Sequence, residues 1–346
     1  MRHTTIMILL ILSIVAFSIL NLTVGSVSIP TAAVFNILNP FGKGLHGSDT
    51  YEIWTNIVMQ TRLPQTLTAI ACGAGLSVAG LEMQTVFRNP LAGPSVLGIS
   101  SAASLGVAIV VMFSGAIGGG LLQRFGIIGN STITIAAICG SLLVMSFIVY
   151  LSQRIDGNAT LLITGVLIGY IASAVTGVLK YFSSEEDIHT YVIWGLGSFS
   201  KVTGGQVFVF VGLIATLLPL TMLLAKPLNI LLLGDRYAAN LGLNVKRARM
   251  LTITSAGILT AVTTAYCGPI MFLGLAVPHI CRGMFSTSDH RILLPATVFG
   301  GAALALLCNI IARMPGFEGA LPINSVTSLI GAPIALSILL KRKSKA

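Results

Sequence analysis

Apolar residues run along this chain in long unbroken blocks, and what interrupts them is charge, proline or a cluster of glycines. A helix packed in a soluble protein shows an apolar stripe on one face; a block apolar on every face belongs where lipid is the solvent. Taking the interruptions as boundaries, the pattern predicts ten spans, at residues 4–24, 63–86, 95–113, 127–151, 159–181, 205–225, 250–266, 268–285, 292–312 and 322–340. The first follows a basic start in the manner of a signal peptide. It is about as long as a bilayer crossing, roughly 20 residues, and no small-x-small cleavage pattern follows it, so it is expected to remain as a helix. No linker separates the blocks, which predicts an all-α polytopic membrane protein with one transmembrane domain over residues 1–346.

Three connections are long enough to hold structure of their own. Residues 25–61 form an expected external loop, with a proline- and glycine-rich turn at 39–47 and an amphipathic stretch at 53–58. The acidic run 183–187 leads into 188–197, which is either a short helix at the outer surface or a solvated loop. Residues 227–244 are too polar to span. Their two short amphipathic pieces are divided by Gly234 and closed by Gly242, and they lie either on a partner or on lipid headgroups.

Composition agrees with the pattern: 55% of residues are hydrophobic and 9% charged, against about a quarter charged in soluble chains. The formal charge of +10 suits nucleic acid, anionic lipid or orientation in a membrane, and position decides among them. Ten crossings return both termini to one side. That side carries fourteen of the 20 Lys and Arg, from Arg2, Arg88 and Arg154 through the cluster Lys246, Arg247 and Arg249 to Lys341, Arg342, Lys343 and Lys345. The other side holds Lys43, Arg62, Arg124, Lys180, Lys201 and Arg313, balanced by Asp49, Glu52, Glu185, Glu186, Asp187 and Glu318. Excess cations mark the cytoplasmic side, so both termini are expected there, and the positive charge needs no nucleic-acid partner.

Within the spans, Gly73, Gly75 and Gly80, and the G-x-x-x-G pair Gly165 and Gly169, let helix backbones approach closely, either inside one subunit or at a dimer seam. The five cysteines all lie in apolar blocks, without C-x-x-C spacing, and read as small core residues. Glu82 is the acid clearly inside a span; it faces either a transport pathway or a structural partner, as an ion pair with a residue such as Arg88 or as a hydrogen-bond pair. His279 and Cys281 make too small a set for a metal site, since zinc takes about four ligands. No G-x-x-x-x-G-K-[ST] occurs, so the chain has no P-loop, and no nucleophile, base or metal constellation marks an enzyme.

Four blocks narrow the class: R-L-P from Arg62, Q-x-x-x-x-N-P-L-A from Gln84, G-L-x-x-P-H from Gly274, and L-P-I from Leu321 followed by G-A-P at Gly331. Together they resemble the FecCD-type permeases, importers of ferric siderophores, haem and cobalamin, over nearly the whole chain after the first span. The resemblance implies a type II ATP-binding cassette importer permease in the bacterial inner membrane. Its implied partners are a second permease copy, two ATPase subunits that bind ATP and magnesium, and a periplasmic or lipoprotein solute-binding protein. The chain itself would be no enzyme and hold no cofactor or metal. A rival class is the ion-coupled secondary transporter, which uses broken helices and acids at the membrane midplane; one intramembrane carboxylate argues against it.

The same resemblance implies roles for particular residues. Asn89 and Pro90 would stand at one cytoplasmic constriction and the turn Asn158, Ala159 and Thr160 at another. Broken backbone at membrane depth is tolerated only inside protein or along a watery path, which fits the two prolines of that first turn. Gly234, Asp235, Ala239 and Gly242 match the loop that docks into a groove on the ATPase, a helix-in-groove mode. Arg62 and Arg313 match arginines that meet two glutamates of the binding protein, as bidentate Arg–carboxylate pairing allows; for Arg313 the alternative is snorkelling at a span end. The chain departs from the pattern at Gln65, where cobalamin-importing members carry a second arginine.

Overall fold

A computed structural model of the chain describes residues 2–25, 27–39, 49–116, 127–155, 157–314 and 320–343, and every regular element among them is helical. In chain order these are α1 (Arg2–Thr23), α2 (Thr31–Leu38), α3 (Asp49–Ile57), a π-helical turn (Val58–Arg62), α4 (Leu63–Val86), a 3-10 turn (Pro94–Leu97), α5 (Ile99–Ala116), α6 (Ile127–Arg154) and α7 (Asn158–Tyr181). Then come α8 (Glu185–Gly195), α9 (Gly205–Met222), α10 (Ala225–Leu231), α11 (Asp235–Asn240), α12 (Val245–Cys267), α13 (Leu273–Phe285), α14 (His290–Ala312) and α15 (Ile323–Lys343). The turn expected at 39–47 lies outside the described residues beyond Asn39, as do Lys43, Arg124, Glu318 and Lys345.

A helix overlaps each of the ten expected spans, and seven stretches are long and apolar enough to cross a membrane: α1, the continuous run Asp49–Val86, and α6, α7, α9, α12 and α14. The span expected at 268–285 needs correction. Its helix has 13 residues, about 20 Å of rise against a hydrocarbon core of about 30 Å. The five residues before it are irregular because Gly268 and Phe272 both hold positive φ, at 77° and 67°. This backbone finds partners in protein: the Cys267 carbonyl accepts from Ser198 N at 2.8 Å and Met271 N donates to Asn324 Oδ1 at 3.1 Å. The acidic run resolves as a helix, α8, capped by the Ser184 side chain accepting from Asp187 N, with Glu185, Glu186 and Asp187 at the positive end of its dipole.

At the centre stands α4, whose residues from Thr68 to Val86 are buried except Ile70. It packs on α14, α12, α13 and α9, and its small residues explain how. A Cβ at Gly73 would overlap the Gly301 carbonyl of α14, and one at Gly80 would overlap the Gly274 carbonyl of α13. Without side chains at the crossings the backbones touch, which is where packing in lipid gains most. The Gly165–Gly169 pair does the same within the subunit, lying on Leu97 and Gly98 after the 3-10 turn. Four cysteines are buried as expected, but Cys139 is exposed, because it lies on the outward face of α6.

One buried amide relay ties α1 and α4 to α14. Gln65 Nε2 donates to Asn309 Oδ1 at 3.1 Å, Asn309 Nδ2 donates to Asn21 Oδ1 at 2.7 Å, and Asn21 Nδ2 reaches the Leu306 carbonyl at 3.1 Å. Gln65 is thus an interior residue. At the opposite end α14 begins at an Asp289 cap that accepts from Arg291 N at 2.9 Å and from Asn229 Nδ2 at 2.6 Å. Those donors, the Arg291 amide first, hold the Asp289 carboxyl below its usual 3.8. A carboxyl depressed in the folded state contributes stability fully present above its unfolded pKa and lost as pH falls through the lower folded value. The difference in melting temperature between the wild type and Asp289→Asn is therefore expected to shrink across that acid window, and a pH-independent difference would contradict the assignment.

Candidate functional site

The two ends of the bundle carry different chemistry. At one end Arg2 donates to Ser286 Oγ at 2.7 Å, which places the start of α1 beside the α13–α14 turn. The turn after α4 is at the same end: Gln84 on its last helical turn bonds Arg282 of α13 and the Leu275 carbonyl. There Arg88 takes a positive φ of 48°, and Asn89 Oδ1 accepts from Leu91 N at 3.0 Å while its carbonyl accepts from Ala92 N at 3.0 Å. Asn89 thereby closes a compact turn, and Pro90 inside it supplies no amide hydrogen. Beyond the turn, residues 91–96 face the broken stretch before α13 across a cavity of about 140 Å³, lined among others by Leu91, Pro94, Ile270 and Phe272. Two non-helical segments thus meet around a void, the arrangement membrane depth requires.

Near this end α7 starts after Gly157 at φ 129°. Ala159 and Thr160 are exposed, and the Asn158 side chain lies outside the described residues. Within this single chain, α7 packs on the 3-10 turn that follows Asn89 and Pro90, with Gly165 against Leu97.

The polar loop forms α10 and α11. Gly234 and Gly242 divide and end them at φ 100° and 83°, left-handed conformations that favour glycine. Leu233, Tyr237 and Leu241 are 58%, 70% and 62% exposed, and Ala239 lies among them, also exposed. Asp235 turns inward instead. Its Oδ2 accepts from Arg249 Nη2 at 2.9 Å, and its Oδ1 lies 3.7 Å from Arg88 Nη2. One carboxylate therefore joins the polar loop, the start of α12 and the turn holding Asn89. No sequence signal reveals this link, because Arg88 and Asp235 are far apart in the chain and each reads as an ordinary surface charge.

That ion pair leaves Glu82 with a hydrogen-bond partner in place of Arg88. Arg88 is engaged with Asp235, and Glu82 is 0% exposed, with Oε1 accepting from Ser255 Oγ of α12 at 2.9 Å. Its Oε2 is buried without a hydrogen-bond partner among the described residues. A carboxyl sealed between α4 and α12 faces no open pathway in this conformation.

At the other end, Arg62 turns inward. It is 1% exposed, and its guanidinium donates to the carbonyls of Leu22 at 2.7 Å, Thr23 at 2.9 Å and Val27. The last carbonyls of α1 lack intrahelical donors, and a cation there also complements the helix dipole. Arg62 thus caps α1 through Nη1 and Nη2, while its Nε is buried without a hydrogen-bond partner among the described residues. Arg313, which follows α14, is half-buried, and the two guanidinium tips converge: a Cβ on Gly25 would lie 3.0 Å from Arg313 Nη2 and 3.1 Å from Arg62 Nη2. The result is a local positive cluster of which Arg313 is the outward member.

Comparisons with known proteins agree with this architecture. The model of the FecCD transport family matches residues 9–341. The hemin transport system permease protein HmuU of Yersinia pestis is 36% identical over 296 residues, 85% of each chain. The vitamin B12 import system permease protein BtuC of Klebsiella pneumoniae is 35% identical over 306 residues, 88% of this chain and 87% of that one. A solved structure of a metal-chelate type ABC transporter in an inward-facing conformation superposes with a TM-score of 0.81 at 27% identity, covering 98% of this chain and 99% of the other. A bundle of apolar helices around α4, a proline-broken turn facing a broken helix start, and a match across nearly the full length make this chain a multi-pass membrane permease of the FecCD transport family.

Proposed function

We propose that the chain is the transmembrane subunit of an ATP-binding cassette importer that moves a metal chelate, a ferric siderophore, haem or cobalamin, across the bacterial inner membrane by alternating access. Two copies would enclose the pathway, with both termini and the polar loop in the cytoplasm and α8 and the Arg313 cluster outside. Two ATPase subunits would hold ATP and magnesium, and a solute-binding protein would deliver the cargo. The observation that carries this reading is the inner end. An exposed apolar surface at Leu233, Tyr237 and Leu241 is joined by Asp235 to the turn of Asn89 and Pro90. Movement imposed on the loop by an ATPase would reach that turn through a charged contact about one side chain long.

Gly234, Ala239 and Gly242 then shape the docking surface, while Asn89 and Pro90, with Asn158, Ala159 and Thr160 of each copy, form the inner constrictions. Glu82 is assigned to holding α4 against α12. The test is co-expression with candidate ATP-binding cassette ATPases of the same organism and assay in proteoliposomes. Asp235→Ala is expected to leave the complex assembled and ATP hydrolysed while chelate uptake falls roughly tenfold, the scale of losing one charge-assisted bond. Uptake at the wild-type rate would remove the proposed linkage; a chain that never associates with an ATPase would remove the function.

A further inference from the structure

Between α5, α7 and α8 lies a cavity of about 200 Å³ with walls of a different kind from the rest of the bundle. It is lined by Ser101 and Ser104 of α5, Ser173, Thr176 and Lys180 of α7, and Tyr191 of α8. The spacing is helical on both sides, three residues apart on α5 and three then four apart on α7, so each helix turns one hydroxyl-bearing face inward. From Ser173 to Lys180 the lining rises about 10 Å along α7. Below, the column is closed by the contact of Gly98 with Gly165 and Gly169.

Its hydroxyl groups fall into two sets, those already spent as donors and those still able to donate. The Ser104 and Thr176 hydroxyls donate to the Ser100 and Ala172 carbonyls at 3.0 and 2.9 Å, and the Tyr191 side chain shares the cavity wall with both. Lys180 Nζ sits 4.4 Å from the centroid of the Tyr191 ring, a cation–π contact that holds the ammonium at the pocket rather than letting it extend to water. Among the described residues no hydrogen bond engages the Ser101 or Ser173 hydroxyl and no carboxylate lines the cavity; the acids of α8 lie on its first turn. An ammonium with two available hydroxyl donors in a pocket of this size suits a carboxylate on a short arm, because charge-assisted donation to an oxyanion is the strongest bond these groups form.

Resting on the importer reading, we propose that this pocket receives an acidic arm of the chelate, so that the cargo class is carboxylate-bearing. The test uses the full-length protein in nanodiscs with exposed Cys139 replaced by serine and Ser173→Cys in the pocket. Labelling by anionic sulfonatoethyl methanethiosulfonate is expected to be roughly tenfold faster than by the cationic trimethylammonioethyl reagent, since a local positive potential concentrates anions by that order. Adding Lys180→Gln should abolish the preference, and Ser101→Cys, on the facing helix, should reproduce it. Hemin or ferric citrate should slow the anionic reagent, whereas hemin dimethyl ester should not. Equal rates for the two reagents, or protection by neither chelate, would overturn the proposal. Slowing by phosphatidylglycerol in the nanodisc and by neither chelate would assign the pocket to a lipid phosphate and overturn it equally. A complex that imports no chelate at all would defeat the importer reading but leave the labelling rates intact, so the two failures are told apart.

Discussion

Gly80→Val is expected to prevent accumulation of folded protein. The position faces the Gly274 carbonyl so closely that a Cβ would overlap backbone rather than a movable side chain. Overpacking ordinarily costs about 1–3 kcal/mol because neighbours rotate aside. Here relief requires separating α4 from α13, which would also open the cavity beside Pro94 and disturb the Gln84–Arg282 contact. The internal control is Gly177→Ala on α7, where an added Cβ meets nothing within 4 Å and the helical preference of alanine acts in its favour by up to about 1 kcal/mol. The measurement is monodisperse yield in detergent, with melting temperature for whatever is recovered. A folded Gly80→Val protein with unchanged melting would show that α4 and α13 do not cross as described.

Charge reversal separates the two arginines of the end proposed to face outward. Arg62→Glu is expected to destabilise the protein by about 3–5 kcal/mol, the range for stripping one partner from a buried charged network. It would leave the Leu22, Thr23 and Val27 carbonyls without their donor and set a carboxylate against them. Arg313→Glu, at a half-buried site, is expected to fold and to weaken capture by the solute-binding protein at least about tenfold, as loss of an interfacial charge pair does. Melting temperature reads the first and binding-protein affinity the second. If Arg62→Glu melts as the wild type does and loses only affinity, the buried cap is not the role of Arg62.

Much of the architecture was legible because a bilayer imposes it residue by residue. Blocks such as 127–151 and 292–312 can be nothing else in lipid, and α6 and α14 are found there. The family blocks around Asn89, Gly274 and Gly331 were equally legible, since each is a short local run of residues. Less so was the stretch 268–285, where hydropathy reads through a break that only the positive φ of Gly268 and Phe272 makes. Hydropathy records what surrounds a residue and not how its backbone turns. The roles of Arg62, Glu82 and Asp235 were also hidden, because charge on a sequence carries no partner with it.

What the sequence determined by itself is the solvent and the class: apolar runs of bilayer length, cations gathered in alternate connections, and the motif blocks of a permease. Those depend on transfer from water to lipid, a property each segment carries alone. The tertiary structure decided which polar groups face one another: Arg62 turned onto the end of α1, Glu82 sealed against Ser255, Asp235 joining the polar loop to the turn of Asn89, and a hydroxyl-lined pocket between α5, α7 and α8. Each of these joins residues from different helices, and a buried polar group takes its meaning from the partner that packing brings to it.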